Sequence, residues 1–172
     1  MKKYNDPLAL GRADPYVYKH TDGYYYFTAT YPAYDRICLR RAKTINGLTD
    51  AEEKVIWRKH ETGIMASHIW APELHYIDGK WYIYFAAGES ENIWEIRPYV
   101  LECADADPIS GTWTEMGMMQ ALTPPDENTI NGYDRYSFTD FSLDMTTFGH
   151  RGRRYCIWAE KVGRRFGISN LY

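Results

Sequence analysis

Three carboxylates recur at similar positions along the chain, and their residue types and spacing are suited to acid–base chemistry. Asp14, Glu73 and Asp144 each precede a stretch of aromatic and β-branched residues, and the two intervals between them are of similar length. Two acids held in one pocket of low dielectric push each other's pKa values apart. One of them can then act as a base and the other as an acid near neutral pH.

The segments that follow these carboxylates are predicted to be β-hairpins. In the middle repeat, the turn pair Asp78-Gly79 is followed by Trp81-Tyr82-Ile83-Tyr84-Phe85, a composition typical of a partly buried strand. The turn glycines, at positions 23, 79 and 152, recur at intervals similar to those between the carboxylates. A long period of this kind indicates a repeat architecture. Repeats of four short strands are typical of the blades of a β-propeller.

Propeller geometry gives a reason for an acid at the start of each repeat. If that residue lies on the innermost strand, successive blades bring it to the central axis. We therefore predict that Asp14 and Asp144 are catalytic and face each other across the channel mouth. Glu73 is predicted to contact substrate there, and Trp70 to stack on a sugar ring, because its flat apolar face suits such rings. The structural alternative is that the acids bond local backbone amides and that the indole is simply packed.

The remaining segments predict an all-β fold. Short strands are predicted at Arg36–Arg40, Val55–Trp57, Tyr99–Cys103 and Thr112–Met116, and a polar loop at residues 88–97. At this period the 172 residues hold two and a half to three blades, whereas a closed propeller needs about 4 to 8. We therefore interpret residues 1–172 as the N-terminal part of a single propeller domain. The ring is incomplete and would be closed by later blades or by a second copy.

Composition limits the partners and the location. A net charge of −3 and a pI near 5.9 argue against nucleic acid, and no apolar window is long enough to cross a membrane. No metal and no cofactor is assigned, because the cysteines and histidines lack metal-ligand spacing. The odd number of three cysteines, and the lack of an apolar run after Met1-Lys2-Lys3, predict a cytoplasmic protein.

The repeats open with three motifs: Arg12-Ala13-Asp14-Pro15, Trp70-Ala71-Pro72-Glu73 and Ser142-Leu143-Asp144. Together they resemble glycoside hydrolase family 43, five-bladed propellers that hydrolyse polysaccharides containing arabinose and xylose. The similarity extends from about Asn5 to Tyr172, and the α-L-arabinofuranosidase-like members are the most similar. The resemblance implies a carbohydrate substrate.

The resemblance also implies an inverting mechanism that uses three acids. The family's general base falls on Asp14, and the Asp that orients the general acid and raises its pKa falls on Asp144. The general acid is a glutamate of a later blade, and its motif is not found before Tyr172; Glu160 is not assigned this role. Inversion needs acid and base about 6.5–9.5 Å apart, so that a water fits between base and sugar.

Since the general acid is missing, the chain alone is predicted to have little or no hydrolase activity. The alternative is a non-catalytic carbohydrate-binding or assembly half-propeller that pairs with another chain. A protein-binding scaffold is disfavoured, because scaffolds do not need acids at the start of repeated inner strands.

Overall fold

The computed structural model describes residues 3–119, 129–130, 133–134, 141–162 and 165–169. These residues form thirteen strands and a single 3₁₀ turn at Asn46–Leu48, which confirms the all-β prediction. No helix in the described residues is long and apolar enough to cross a bilayer. The strands are β1 (Ala13–Lys19), β2 (Tyr25–Thr30), β3 (Arg36–Ala42), β4 (Lys54–Arg58), β5 (Ser67–Ile77), β6 (Lys80–Gly88), β7 (Arg97–Cys103), β8 (Thr114–Met118), β9 (Thr129–Ile130), β10 (Tyr133–Asp134), β11 (Ser142–His150), β12 (Arg153–Val162) and β13 (Arg165–Ser169).

Each long repeat folds into an antiparallel meander. The strand orders are β1-β2-β3-β4 in the first sheet, β5-β6-β7-β8 in the second and β11-β12-β13 in the third, while β9 pairs with β10. The first two sheets are complete four-stranded blades, and the third has three described strands. This is the blade pattern of a β-propeller, and the predicted strands match β3, β4, β7 and β8 closely, with β8 beginning slightly later than expected.

The inner hairpins turn at the glycines that the sequence marked. Asp78 and Gly79 have φ angles of 49° and 87°, and Arg151 and Gly152 have φ angles of 49° and 76°. Two successive residues with positive φ form the type I′ turn, whose twist matches that of antiparallel strands. These turns lie at the far ends of β5 and β11, so the beginnings of both inner strands meet at the opposite face.

The apolar core lies between adjacent blades. One cluster joins the first two sheets and includes Tyr26, Ile37, Leu39, Leu74, Ile83, Phe85 and Leu101. A second cluster joins the second and third sheets and includes Ile77, Tyr84, Val100, Met145 and Trp158. Each such side chain stabilises the fold by about 1.5–3 kcal/mol when fully buried. This packing places β1 against β5 and β5 against β11, which brings the three inner strands together.

Candidate active site

The beginnings of β1 and β11 and the middle of β5 line one pocket of about 180 Å³. Its walls are formed by Asp14, Pro15, Tyr16, Ala71, Glu73 and Asp144. The structure therefore brings together three of the four residues that the sequence singled out, although they belong to three different repeats. Their convergence follows from the packing of the inner strands, while their chemical roles stay predictions.

A β-bulge at the start of β1 and of β11 positions the two aspartates. The pairing of β1 with β2 shifts register between Ala13 and Tyr16, and that of β11 with β12 shifts between Leu143 and Thr146. Inside these bulges the aspartates have φ angles of 50° and 54°. Asp tolerates this left-handed region better than most residues, and bulges commonly re-aim a side chain next to a functional site.

The equivalent bulge in the second blade is centred on Ala71, not on Glu73. Ala71 has a φ angle of 45°, and the pairing of β5 with β6 shifts on both sides of it. Ala71 lies 8 residues before Gly79, as Asp144 lies 8 before Gly152 and Asp14 lies 9 before Gly23, whereas Glu73 lies only 6 before Gly79. Glu73 therefore enters the pocket from a position further along its strand. The alignment of Glu73 with the two aspartates is therefore shifted by two residues, and Ala71 is their structural equivalent.

Thr30, the last residue of β2, links the first two blades beside the pocket. Its hydroxyl donates a hydrogen bond to Oδ2 of Asp14 at 2.8 Å and accepts one from the backbone N–H of Ala71, also at 2.8 Å. Thr30 is only 2% exposed, so its hydrogen bond from Ala71 is buried, whereas its bond to the exposed Asp14 is only partly buried. Sequence reasoning missed Thr30. The signal was its position directly across the first hairpin from Ala13, next to the acid.

We expect Thr30→Val to lower the free energy of unfolding by about 1–3 kcal/mol, because the buried N–H of Ala71 loses its acceptor. Thr30→Ser is the matched control, since it keeps the hydroxyl and removes only a methyl group. Urea unfolding of both variants measures the difference. Equal stability of the two would show that the bridge contributes nothing.

Glu73 is held by a histidine beneath the pocket. Nε2 of His75 lies 3.0 Å from Oε2 of Glu73, and His75 is buried. The imidazole packs between the rings of Tyr16 and Tyr84, with centroid distances of 5.3 and 5.5 Å. His75 lies two positions after Glu73 and so projects from the same face of the strand. That spacing was visible in the sequence, although it was considered only for a metal.

Tyr16 is the neutral hydroxyl of the pocket. Burial, followed by the charge of Glu73 and the nearby Tyr18, raises the pKa of Tyr16 to about 12. The phenol therefore keeps its proton at any physiological pH and can donate a hydrogen bond to a ligand. Sequence reasoning missed this residue as well.

The pocket raises the pKa of Asp144 above its ordinary value. Burial is the largest cause that raises the pKa of Asp144, and the negative charges of Asp14 and Glu73 add to it. Both causes disfavour a third negative charge in this space. The pocket therefore favours the protonated form of Asp144 over a wider pH range than water does.

We expect Glu73→Gln to lower the pKa of Asp144, because it removes one of the two like charges that raise it. Glu102→Gln is the control, since Glu102 is paired with Lys80 on the outer part of the second blade. Carboxyl ¹³C NMR titration of Asp144 reports the shift directly. A pKa of Asp144 that is the same in both variants would contradict the electrostatic coupling.

Trp70 lies beside the pocket rather than in its wall. Its ring contacts those of Tyr34, His68 and Trp94.

Glu160 lies on β12 next to Ser142 and is buried, and its Oε2 accepts a hydrogen bond from the indole N–H of Trp158 at 3.2 Å. Within the described part of the chain, no group of three or more His, Cys, Asp or Glu side chains is arranged to hold a metal ion.

The structure is thus part of a β-propeller in which three inner strands bring carboxylates to one pocket. The family model described as "Glycosyl hydrolases family 43" matches residues 4–172. The chain belongs to this family.

Relatives that are named as arabinofuranosidases match nearly the whole chain. It is 54% identical over 169 residues to an "extracellular exo-alpha-(1->5)-L-arabinofuranosidase" of Streptomyces avermitilis, covering 98% of this chain and 32% of that protein. A protein of the same name from Streptomyces chartreusis is 54% identical over 157 residues, covering 91% of this chain and 43% of that protein. The crystal structure of an α-L-arabinofuranosidase from Lactobacillus brevis superposes with a TM-score of 0.79 at 43% identity, covering 97% of this chain and 51% of that one. The chain thus spans less than half of these two curated relatives and about half of that structure.

The prediction of a cytoplasmic location is wrong, because the two Streptomyces relatives are named extracellular. Two of the three thiols on which it partly rested are buried and do not report a compartment, while Cys156 is half-buried. Cys38 and Cys103 are buried, and burial raises the pKa of Cys38 to about 11 and also raises that of Cys103. Buried thiols of this kind are inert, so their free state is compatible with an oxidising environment.

Proposed function

We propose that the chain is part of an inverting glycoside hydrolase that cleaves arabinofuranosyl or xylosyl linkages of plant polysaccharides or their oligosaccharides. The observation that carries the proposal is the pocket that gathers Asp14, Glu73 and Asp144 from three blades. The names of the relatives support arabinofuranosyl linkages as the first choice. They also support a place of action outside the cell, where such polysaccharides occur.

In this proposal Asp14 is the general base. Its carboxylate, oriented by the hydroxyl of Thr30, removes a proton from the water that attacks the anomeric carbon. The C–O bond to the leaving group breaks as the new bond forms on the opposite face, so the configuration inverts. The leaving oxygen takes its proton from a general acid, a glutamate outside this chain.

Asp144 is proposed to act through that general acid rather than on the substrate itself. A carboxyl that shares the pocket with other acids holds the pKa of its neighbour above the ordinary range. Glu73 and Trp70 are proposed to bind the substrate, the former through a hydroxyl group of the sugar and the latter through the apolar face of the ring.

The test uses a completed propeller, in which the 172-residue chain replaces the matching region of the Streptomyces avermitilis relative. We expect this protein to hydrolyse 4-nitrophenyl α-L-arabinofuranoside. Proton NMR of the first turnovers should show β-L-arabinofuranose as the initial product, which then mutarotates. An α product would contradict inversion, and a folded protein that binds sugar without turnover would contradict the hydrolase and favour a binding module.

A further inference from the structure

A buried histidine, His75, lies behind the carboxylate of Glu73 beneath the acidic pocket. Nε2 of His75 lies 3.0 Å from Oε2 of Glu73, and the side chains are 9% and 25% exposed, respectively. Glu73 lines the pocket, whereas His75 is not part of its wall. A ligand in the pocket can therefore reach the carboxylate but not the imidazole.

The hydrogen bond between them runs from the imidazole to the carboxylate. An ionised carboxylate has no proton to donate, so Nε2 of His75 must carry the hydrogen. The bond occupies Oε2 of Glu73, and no group among the described residues donates a hydrogen bond to Oε1. One oxygen of Glu73 is thus held from behind, and the other is left for a ligand.

Two tyrosine rings fix the position of the imidazole. The ring of His75 lies 5.3 Å from that of Tyr16 and 5.5 Å from that of Tyr84, at interplanar angles of 43° and 69°. Tyr16 lines the pocket, and Tyr84 lies directly across the hairpin from Glu73. Burial is the largest cause that raises the pKa of both phenols to about 12. Both rings are therefore uncharged at neutral pH, and Glu73 supplies the negative charge that the imidazole contacts.

Packing alone does not account for a histidine at this position. Residues at alternate positions share one face of a strand, and Ile77, two residues after His75, is an apolar member of the core between the second and third blades. A phenylalanine ring has a similar size and would need no hydrogen-bond partner when buried. What the imidazole adds is an N–H group directed at Glu73.

We propose that His75 is a positioning residue, which fixes the carboxylate of Glu73 so that its Oε1 meets a hydroxyl group of the sugar in the pocket. The inference rests on the proposed function, in which Glu73 binds the substrate. A glutamate side chain loses much of its rotational freedom when it is fixed. Because His75 imposes this loss during folding, binding of the sugar does not have to. Contacts to a ligand are more precise when a second layer of hydrogen bonds supports them.

The kinetic test compares variants of the completed propeller with α-1,5-linked arabinotriose as the substrate. We expect His75→Phe to raise KM about tenfold, which corresponds to about 1.4 kcal/mol. It should leave kcat nearly unchanged, because Glu73 is proposed to hold the sugar equally in the ground state and in the transition state. His75→Gln places an amide N–H near the position of Nε2 and should restore most of the affinity. An unchanged KM in His75→Phe, or a raised KM that His75→Gln does not restore, would overturn the proposal.

A double-mutant cycle shows whether His75 acts through Glu73. Glu73→Ala removes the carboxylate, so the addition of His75→Phe to that variant should raise KM no further. If the two losses add, His75 supports the pocket by another route and the proposal is wrong.

The tautomer of the imidazole gives a spectroscopic signature of the same contact. We expect ¹⁵N NMR, at a pH at which the ring is neutral, to show the Nε2–H form of His75 in the parent and a mixture of both tautomers in Glu73→Ala. Loss of the signals in His75→Phe assigns them. Equal tautomer populations in the parent and in Glu73→Ala would contradict a hydrogen bond to Glu73.

His60→Phe is the matched control. Nε2 of His60 lies 2.8 Å from Oε1 of Glu115, so the chain holds a second histidine–glutamate pair with the same chemistry. His60 follows β4 and Glu115 lies on β8, the outer strands of the first two blades, and neither residue lines the pocket. His60→Phe should therefore leave KM and kcat unchanged. A similar rise in KM in this variant would show a general effect of losing such a pair and would overturn the proposal.

Failure of the positioning role and failure of the proposed function are distinguishable by calorimetric titration with arabinotriose, which requires no turnover. If the completed propeller binds the trisaccharide without cleaving it, and His75→Phe weakens binding about tenfold, the positioning role stands and the hydrolase is wrong. If the propeller cleaves the trisaccharide and His75→Phe leaves KM unchanged, the hydrolase stands and the positioning role is wrong. A propeller that neither binds nor cleaves the trisaccharide would contradict both.

Discussion

Replacement of Asp14 by Asn in the completed propeller is expected to lower kcat by about 10²–10⁴, the contribution typical of a positioned general base. The amide has nearly the same shape and can still accept the hydrogen bond from Thr30, which donates to Oδ2 in the native chain. It has no negative charge with which to take a proton from water. KM should change little, since the lost interaction is made in the transition state.

A control with the same chemical change separates base catalysis from backbone strain. Asp78→Asn alters another aspartate with positive φ, 49°, in the turn at the opposite end of β5. It should leave kcat unchanged, and both variants should retain the circular dichroism spectrum of the parent. A kcat for Asp14→Asn that stays close to that of the parent would contradict the assignment of the base.

Chemical rescue adds a second test, because it restores activity only if Asp14 acts as the general base and not if it merely supports the pocket. Azide needs no deprotonation before it attacks, so it should restore turnover to Asp14→Ala, in which the smaller side chain leaves room for it. The product should be a glycosyl azide of inverted configuration. A variant that was inactive only because its pocket had collapsed would not respond to azide.

The fold was accessible from the sequence because its signals are local. The turn pairs at Gly79 and Gly152 have the positive φ angles that fix a hairpin, and the strands around them are rich in aromatic residues. Repetition then indicated how the hairpins are related, since the same short pattern returned at similar spacing. Convergence of Asp14 and Asp144 follows from this relation and required no knowledge of any single long-range contact.

Part of the site was not accessible because it depends on bulges and on contacts between blades. A bulge adds a residue without a clear sequence signal, which is why Glu73 was aligned with the aspartates although Ala71 is their equivalent. The bridge from Thr30 joins two blades through one hydroxyl. The position of Trp94 beside Trp70 depends on how a loop folds back on its own blade, and the loop was predicted only as polar.

The isolated 172-residue chain is expected to hydrolyse arabino-oligosaccharides at least about 10² times more slowly than the completed propeller. Protonation of the leaving group contributes about 10²–10⁴ in rate, and the chain offers no suitable donor within its described residues. Glu160 is buried beside Trp158 and does not line the pocket. Asp144 retains its proton over a wider pH range, yet it is proposed to act on the general acid.

The dependence on the leaving group tests whether a missing general acid is the cause of the slower hydrolysis. A 2,4-dinitrophenyl arabinofuranoside departs without protonation, so the isolated chain should lose less activity with this substrate than with arabinotriose. If the deficit is the same for both substrates, incomplete binding rather than a missing acid explains it. If the isolated chain cleaves arabinotriose as fast as the completed propeller, and Asp14→Asn abolishes this activity, the general acid lies within residues 1–172 and its assignment to a later blade is wrong.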